Sequence, residues 1–332
     1  MTTTRLYHFA GKYLEVRARD EWSAQVVQRF IGDYLLTPVD GAEAEEVASV
    51  IEISGGELLP SAPRDLPSSE IFHGICRANG ETLYLEIDDS LIVVGPPSSR
   101  FVRLWFGSTA KARHPLSVAT VLSYATHAAL RRRGLYELHA AGVVAPSGVG
   151  VLIIGASGSG KTTLTVRLAE GGWRYLSDDR LILGEDAESV VAWGLRRVFS
   201  VTERTLAACA STQLTAAAGT VAPGDPSKRH LEPRSAFPDG FARSCAPQAL
   251  FFASIVAQRQ SHVTALSQSE AMSRLIGHCP WTCYDAAMAR DHLGALARLV
   301  RQSRAYRLRA GRELLDEPER ATQLLLSQYR ER

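Results

Sequence analysis

Eight residues, Gly155-Ala156-Ser157-Gly158-Ser159-Gly160-Lys161-Thr162, constrain this chain more than any others. They fit the pattern G-x-x-x-x-G-K-[ST] of a phosphate-binding loop. The run before them, Val149 to Ile154, is apolar except for Gly150 and rich in β-branched residues, which predicts a buried strand. The run after them, Thr163 to Ala169, sets Leu164 and Leu168 four apart, as on one face of a helix. A Gly-rich turn between strand and helix folds tightly around an anion, with its N–H groups pointing inward and the helix N-terminus adding partial positive charge. The expected nucleotide contacts are Gly155, Ser157, Gly158, Ser159, Gly160, Lys161, Thr162 and Thr163. Among them Lys161 reaches the β- and γ-phosphates and the Thr162 hydroxyl ligates Mg²⁺.

The chain of 332 residues has room for two domains. Residues 1–114 read as a small α+β module. Its helix, Glu21 to Leu36, is followed by a strand at Ala48 to Ser54 and a Gly/Pro/Ser-rich loop from Gly55 to Ser69. Three more strand-like runs follow, Glu81 to Asp88, Leu91 to Val94 and Arg100 to Phe106, with Asp88-Asp89-Ser90 as a hairpin turn. The second domain is expected over 115–332. It opens with a helix from Leu116 to Arg133, where Arg131-Arg132-Arg133 complements the macrodipole of the last turn and Gly134 caps it. Leu135 to Val144 then reads as a strand leading through Ala145-Pro146-Ser147-Gly148 into the phosphate-loop strand. Such an antiparallel hairpin sets His139 beside the loop.

Downstream, Trp173 to Ser177 forms a short strand closed by Asp178-Asp179. Two carboxylates at the carboxyl edge of a sheet lie where open α/β folds bind ligands. One can hold Mg²⁺ and the other can take a proton from an acceptor hydroxyl. Arg196 and Arg197 either contact phosphate or acceptor or form a solvated pair. Ser211 to His230 reads as a mobile loop in which Lys228-Arg229 either closes over a nucleotide or is plain surface. Leu250 to Val256 and Tyr306 to Leu308 read as strands, and Ser269 to Ile276 as a short helix. His278-Cys279 with Cys283 and His292 is a single cluster without zinc spacing, so it reads as a buried turn. Asp285 is placed to cap a helix reaching Ser303, and Pro318 to start a terminal one.

Composition narrows the rest. A net charge of +2 gives no footprint for nucleic acid. Five widely spaced cysteines do not make a disulfide framework and suit a reducing compartment. Met1 to His8 has no apolar core of a signal peptide, and no run of about 18 apolar residues marks a membrane span. A cytoplasmic chain with no membrane partner is the expectation.

The order His139-Ala140-Ala141-Gly142, then Gly155 to Thr162, then Leu176-Ser177-Asp178-Asp179-Arg180 resembles the kinase domain of the HPr kinase/phosphorylase family and its relatives. The close similarity spans about His139 to Ile182. The resemblance implies a P-loop HPr kinase-like fold behind the N-terminal module, and phosphate transfer from ATP or GTP with Mg²⁺ to a serine hydroxyl. It implies that Lys161 binds phosphate and Thr162 the metal. It makes Asp178 the general base, assisted by His139, with Asp179 at the metal, or the two aspartates exchanged. It also implies a homo-oligomer. Three features depart from the regulatory enzymes. Ala140 replaces their Gly, Thr162-Thr163 their Ser-Glu, and Trp193-Gly194-Leu195-Arg196-Arg197 is the nearest stretch to their Glu-x-Arg-Gly-x-Gly. The pattern fits better the divergent relatives encoded with peptide-modification systems, some of which phosphorylate a serine on a precursor peptide. The expected partner is therefore a peptide or small protein. A kinase of free metabolite hydroxyls, or a nucleotide-binding regulatory protein with little catalysis, are the alternatives.

Overall fold

Strand alternation begins near the N-terminus, where β1 (Thr3–Phe9) and β2 (Lys12–Ala18) turn Tyr7, Phe9, Leu14, Val16 and Ala18 inward. The computed structural model describes residues 2–40, 46–56, 59–112, 115–186, 189–209, 212–221 and 227–330. It is a mixed α/β protein, with two mixed sheets, a small antiparallel sheet and eleven α-helices among these residues. The chain divides into two units, Met1–Tyr136 with Pro280–Leu293, and Glu137–Cys279 with Gly294–Arg332.

The first unit continues with α1 (Glu21–Gly32), β3 (Thr37–Val39), β4 (Val47–Gly55), β5 (Ser68–Ile71), β6 (Gly74–Asn79), β7 (Thr82–Ile87), β8 (Ser90–Val94), β9 (Phe101–Phe106) and α2 (Pro115–Arg131). Its sheet runs β3-β1-β2-β4-β9-β8-β7-β6-β5, with β4 parallel to both β2 and β9. Asp20 caps α1 by accepting the Ser23 N–H at 2.9 Å. The helix α2 packs on β4, β8 and β9. It therefore belongs with the N-terminal module, and the expected boundary between 114 and 115 moves to Tyr136 and Glu137.

The three arginines that close α2 are anchors rather than plain dipole partners. Arg131 Nε donates to Asp285 Oδ2 at 3.0 Å, and Arg132 Nη1 to both oxygens of the same carboxylate at 3.0 Å. Arg132 also donates to the carbonyls of Gly95 and Glu81, and Arg133 to that of Ser99. The carboxylate expected to cap a helix is thus held by two buried guanidinia. His292, read beside the cysteines, contacts Arg131 Nη1 through Nδ1 at 2.8 Å and stacks on Tyr136.

The second unit carries β10 (Tyr136–Val144), β11 (Gly150–Ile154), α3 (Lys161–Glu170), β12 (Arg174–Ser177), β13 (Arg180–Asp186), β14 (Ser189–Gly194), β15 (Phe199–Thr202), α4 (Glu203–Ala208), α5 (Thr212–Ala217), β16 (Ala218–Val221), β17 (Lys228–Leu231), α6 (Pro233–Ala236), β18 (Ser244–Cys245), β19 (Pro247–Ile255), β20 (His262–Leu266) and α7 (Gln268–Ile276). After α8 (Trp281–Tyr284), α9 (Ala286–Gln302) leads to β21 (Arg304–Ala310), α10 (Glu313–Asp316) and α11 (Pro318–Arg330). The large sheet runs β18-β14-β13-β10-β11-β19-β21-β20, with β12 also on β10. β10 and β11 form the expected antiparallel hairpin, and β11, β19 and β21 run parallel. Leu164, Val166 and Leu168 of α3 pack with Ala321 and Leu325 of α11 over Val151, Ile153 and Phe251. Buried apolar area of this extent is the main term holding α3 in place, at about 25 cal/mol per Å².

The region read as a mobile loop is structured where it is described. β17 pairs with β15 and β16 in the third sheet. Among the described residues no helix is long and apolar enough to cross a membrane.

Candidate functional site

The phosphate loop is held open by contacts that only small residues allow. A Cβ on Gly155 would collide with Ser159 Oγ and stand 2.7 Å from the Ala253 carbonyl oxygen. Gly160 is the N-cap of α3 at φ 90°, ψ 9°, a left-handed conformation natural to glycine. Its position frees the first N–H groups of α3 to face a ligand. Gly155 is buried, whereas Ala156, Ser157 and Gly158 are exposed.

Lys161 is buried and makes three hydrogen bonds. Its Nζ donates to the carbonyls of Gly155 at 2.8 Å and Ala156 at 3.2 Å, and lies 3.0 Å from His139 Nε2. An ammonium has donors only, so His139 Nε2 accepts. The imidazole is then neutral with its proton on Nδ1, which faces Asp179 Oδ1 at 3.3 Å. Burial is the main reason that the His139 pKa is lowered; Lys161 and Arg180 push it the same way and Asp179 opposes. Burial likewise lowers the pKa of Lys161, against the pull of both aspartates.

Asp178 occupies a different environment from its neighbour. Its residue is 1% exposed, and Oδ2 accepts from Thr162 Oγ1 at 2.8 Å and from the Ser200 N–H at 3.3 Å. Oδ1 is buried with no hydrogen-bond partner among the described residues. Burial pushes its pKa up to about 6, helped by the charge of Asp179 and opposed by Arg196, Thr162 and Ser200. The Asp179 side chain is 27% exposed and lies near Arg180 as well as His139. The expected pairing of His139 with Asp178 is therefore not the one formed, because β10 sets the imidazole against the second aspartate.

The remaining expected contacts separate into two groups. Arg196 Nη2 lies 3.5 Å from His230 Nε2 and acts on the charge of Asp178. Lys228 acts on the charge of Lys161. In the β15–β17 register Thr202 opposes Lys228 and Ser200 opposes His230, so these four share one face of the small sheet. Arg229 is on the other face and pairs with Glu203. Arg197 is exposed. Thr163 turns away to Thr205, hydroxyl to hydroxyl at 2.8 Å.

His230 and Ser200 are residues of this site not found from the sequence. Burial lowers the pKa of His278, and the charges of His139 and Lys161 add to that. Among the described residues no group of three or more His, Cys, Asp or Glu is arranged to hold a metal. Mg²⁺ asks less of the protein, being held by one or two carboxylates together with substrate phosphates and water. The Thr162 hydroxyl and the unpartnered Asp178 Oδ1 suit that requirement. The chain matches no protein-family model and no curated protein.

Proposed function

We propose that this chain is a nucleotide-dependent phosphotransferase with a P-loop HPr kinase-like site. It transfers the γ-phosphoryl of ATP, or a related triphosphate, to a serine hydroxyl on a peptide or small protein. One observation carries the reading. The two chemical residues of the phosphate loop are each joined to one of the paired aspartates, Thr162 to Asp178 directly and Lys161 to Asp179 through His139. Phosphoryl transfer needs little from a protein beyond positioning and charge neutralisation, and this arrangement offers both.

The loop N–H groups and Lys161 bind the phosphates, with Arg196 and Lys228 adding positive charge around them. Thr162 and Asp178 would hold Mg²⁺, which when bound neutralises charge on the β- and γ-phosphates. Asp179 is the more accessible carboxylate, and His139 Nδ1 lies 3.3 Å from its Oδ1. It therefore takes the acceptor proton, and the two aspartates exchange the roles first expected for them.

Calorimetry with Mg²⁺–ATP, followed by single-turnover transfer to a serine peptide library, tests the reading. Lys161→Ala should abolish measurable nucleotide binding. Asp179→Asn should retain nucleotide but slow transfer about a hundredfold, the scale of a lost general base. Equal nucleotide affinity in wild type and Lys161→Ala refutes the proposal. Transfer at the wild-type rate by Asp179→Asn refutes the base assignment, and phosphate found only on free metabolites changes the acceptor class.

A further inference from the structure

The phosphate loop has one polar flank and one apolar flank. Asp178, Asp179, His139 and Arg196 converge from the side of β10, β12 and β15. On its other side β11 pairs with β19, in a register that matches Ile154 to Phe252. β19 continues three residues further and ends at Ile255. Its Ala253 carbonyl is packed against Gly155, and its Ile255 side chain lies against Gly160, where an added Cβ would be 3.4 Å from both Cγ1 and Cδ1. Phe251 and Ala253, on the same face of the strand as Ile255, are in the core. Ile255 is 61% exposed, more than any other large apolar side chain of this unit among the described residues.

A nucleoside triphosphate is anionic at one end and aromatic at the other. If transfer occurs at the aspartate pair, the γ-phosphate lies toward β10 and β12. The α-phosphate, sugar and base then lie toward β19. We infer that Ile255 is the apolar wall of a subsite for the base of a purine nucleotide whose phosphates are held by Gly155–Thr162. The inference rests on the nucleotide reading above and adds a location for the base to it. Covering this exposed β-branched side chain with a flat ring removes apolar surface from water.

The test compares Mg²⁺–ATP with Mg²⁺–tripolyphosphate, which has the phosphates and lacks sugar and base. Binding of each is measured by calorimetry to wild type, Ile255→Ala and Ile255→Leu. Ile255→Ala should bind ATP roughly tenfold more weakly, the scale of a few buried methylene equivalents. It should bind tripolyphosphate as wild type does, and Ile255→Leu should recover most of the ATP affinity. Unchanged ATP affinity in Ile255→Ala overturns the inference, as does an equal loss for both ligands, which would make Ile255 a support of the loop. A smaller assembly by light scattering with unchanged ATP affinity makes it a contact between copies instead. If wild type binds neither ligand, the nucleotide reading itself falls. If it binds tripolyphosphate as tightly as ATP, only the base subsite falls.

Discussion

Asp178 is asked to be a charge in a place that disfavours charge. Its folded pKa of about 6 stands above the ordinary 3.8 because the carboxylate is buried beside Asp179. The folded chain thus holds that proton more tightly than the unfolded chain does. Its contribution to stability is fully present below the unfolded pKa and is lost as pH rises from about 4 through 6. A rise of that size corresponds to about 3 kcal/mol. Asp178→Asn should therefore raise the melting temperature by several degrees at pH 8 and by little at pH 4, while Mg²⁺-dependent nucleotide affinity falls. Melting curves at the two pH values check the first part, and a variant no more stable at pH 8 than wild type contradicts it. In the wild type, Mg²⁺-dependent binding should weaken as pH drops below about 6, where Asp178 takes up its proton.

Individual elements decide which expected contacts meet the site. Lys228 and Arg229 are adjacent in sequence, but strand alternation sends them to opposite faces of β17. Lys228→Ala should weaken triphosphate binding about tenfold, on the order of one charge-assisted phosphate contact. Arg229→Ala should leave it within twofold, since an exposed ion pair with Glu203 contributes little. Equal effects of the two substitutions in the same titration would mean that the face assignment is wrong. Periodicity alone located many elements. The loop with its flanking strand and helix, the β10–β11 hairpin, α7 and β21 all lie close to where apolar spacing put them. Helix α1 stops at Gly32 rather than Leu36, with Tyr34 and Leu36 buried beyond its end. What spacing did not reveal has a common physical origin. β17 follows an Ala-, Gly- and Pro-rich stretch that resembles a loop, and its strand character comes from pairing with β15 across more than twenty residues. The same holds for His139, whose partner was decided by sheet register, and for Asp285, whose role depends on arginines 153 and 154 residues away.

At the scale of the molecule, the first unit is not continuous in sequence. Residues Pro280–Leu293 return to it and bring Asp285, whose side chain is 2% exposed between Arg131 at 0% and Arg132 at 2%. Removing one member of such a buried group leaves the others uncompensated, at a cost of about 3–5 kcal/mol. Asp285→Ala should lower the first unit's denaturation midpoint accordingly, and a fragment ending at Tyr136 should not give a cooperative unfolding transition. A fragment that unfolds cooperatively in urea at the same midpoint as the whole chain would show that the return segment is dispensable. Asp285→Leu should fare no better than Asp285→Ala, because volume does not replace the missing charge.

The same return segment has a meaning in time. Arg131 leaves the ribosome 154 residues ahead of Asp285. At bacterial or eukaryotic elongation rates of about 5–20 residues per second, roughly 8 to 30 s pass before the carboxylate is synthesised. During that interval the N-terminal sheet can collapse, but its two guanidinia have no carboxylate to bury against. The nascent module is therefore unfinished while the entire phosphate-loop region is being translated, and the segment that completes it emerges only afterwards.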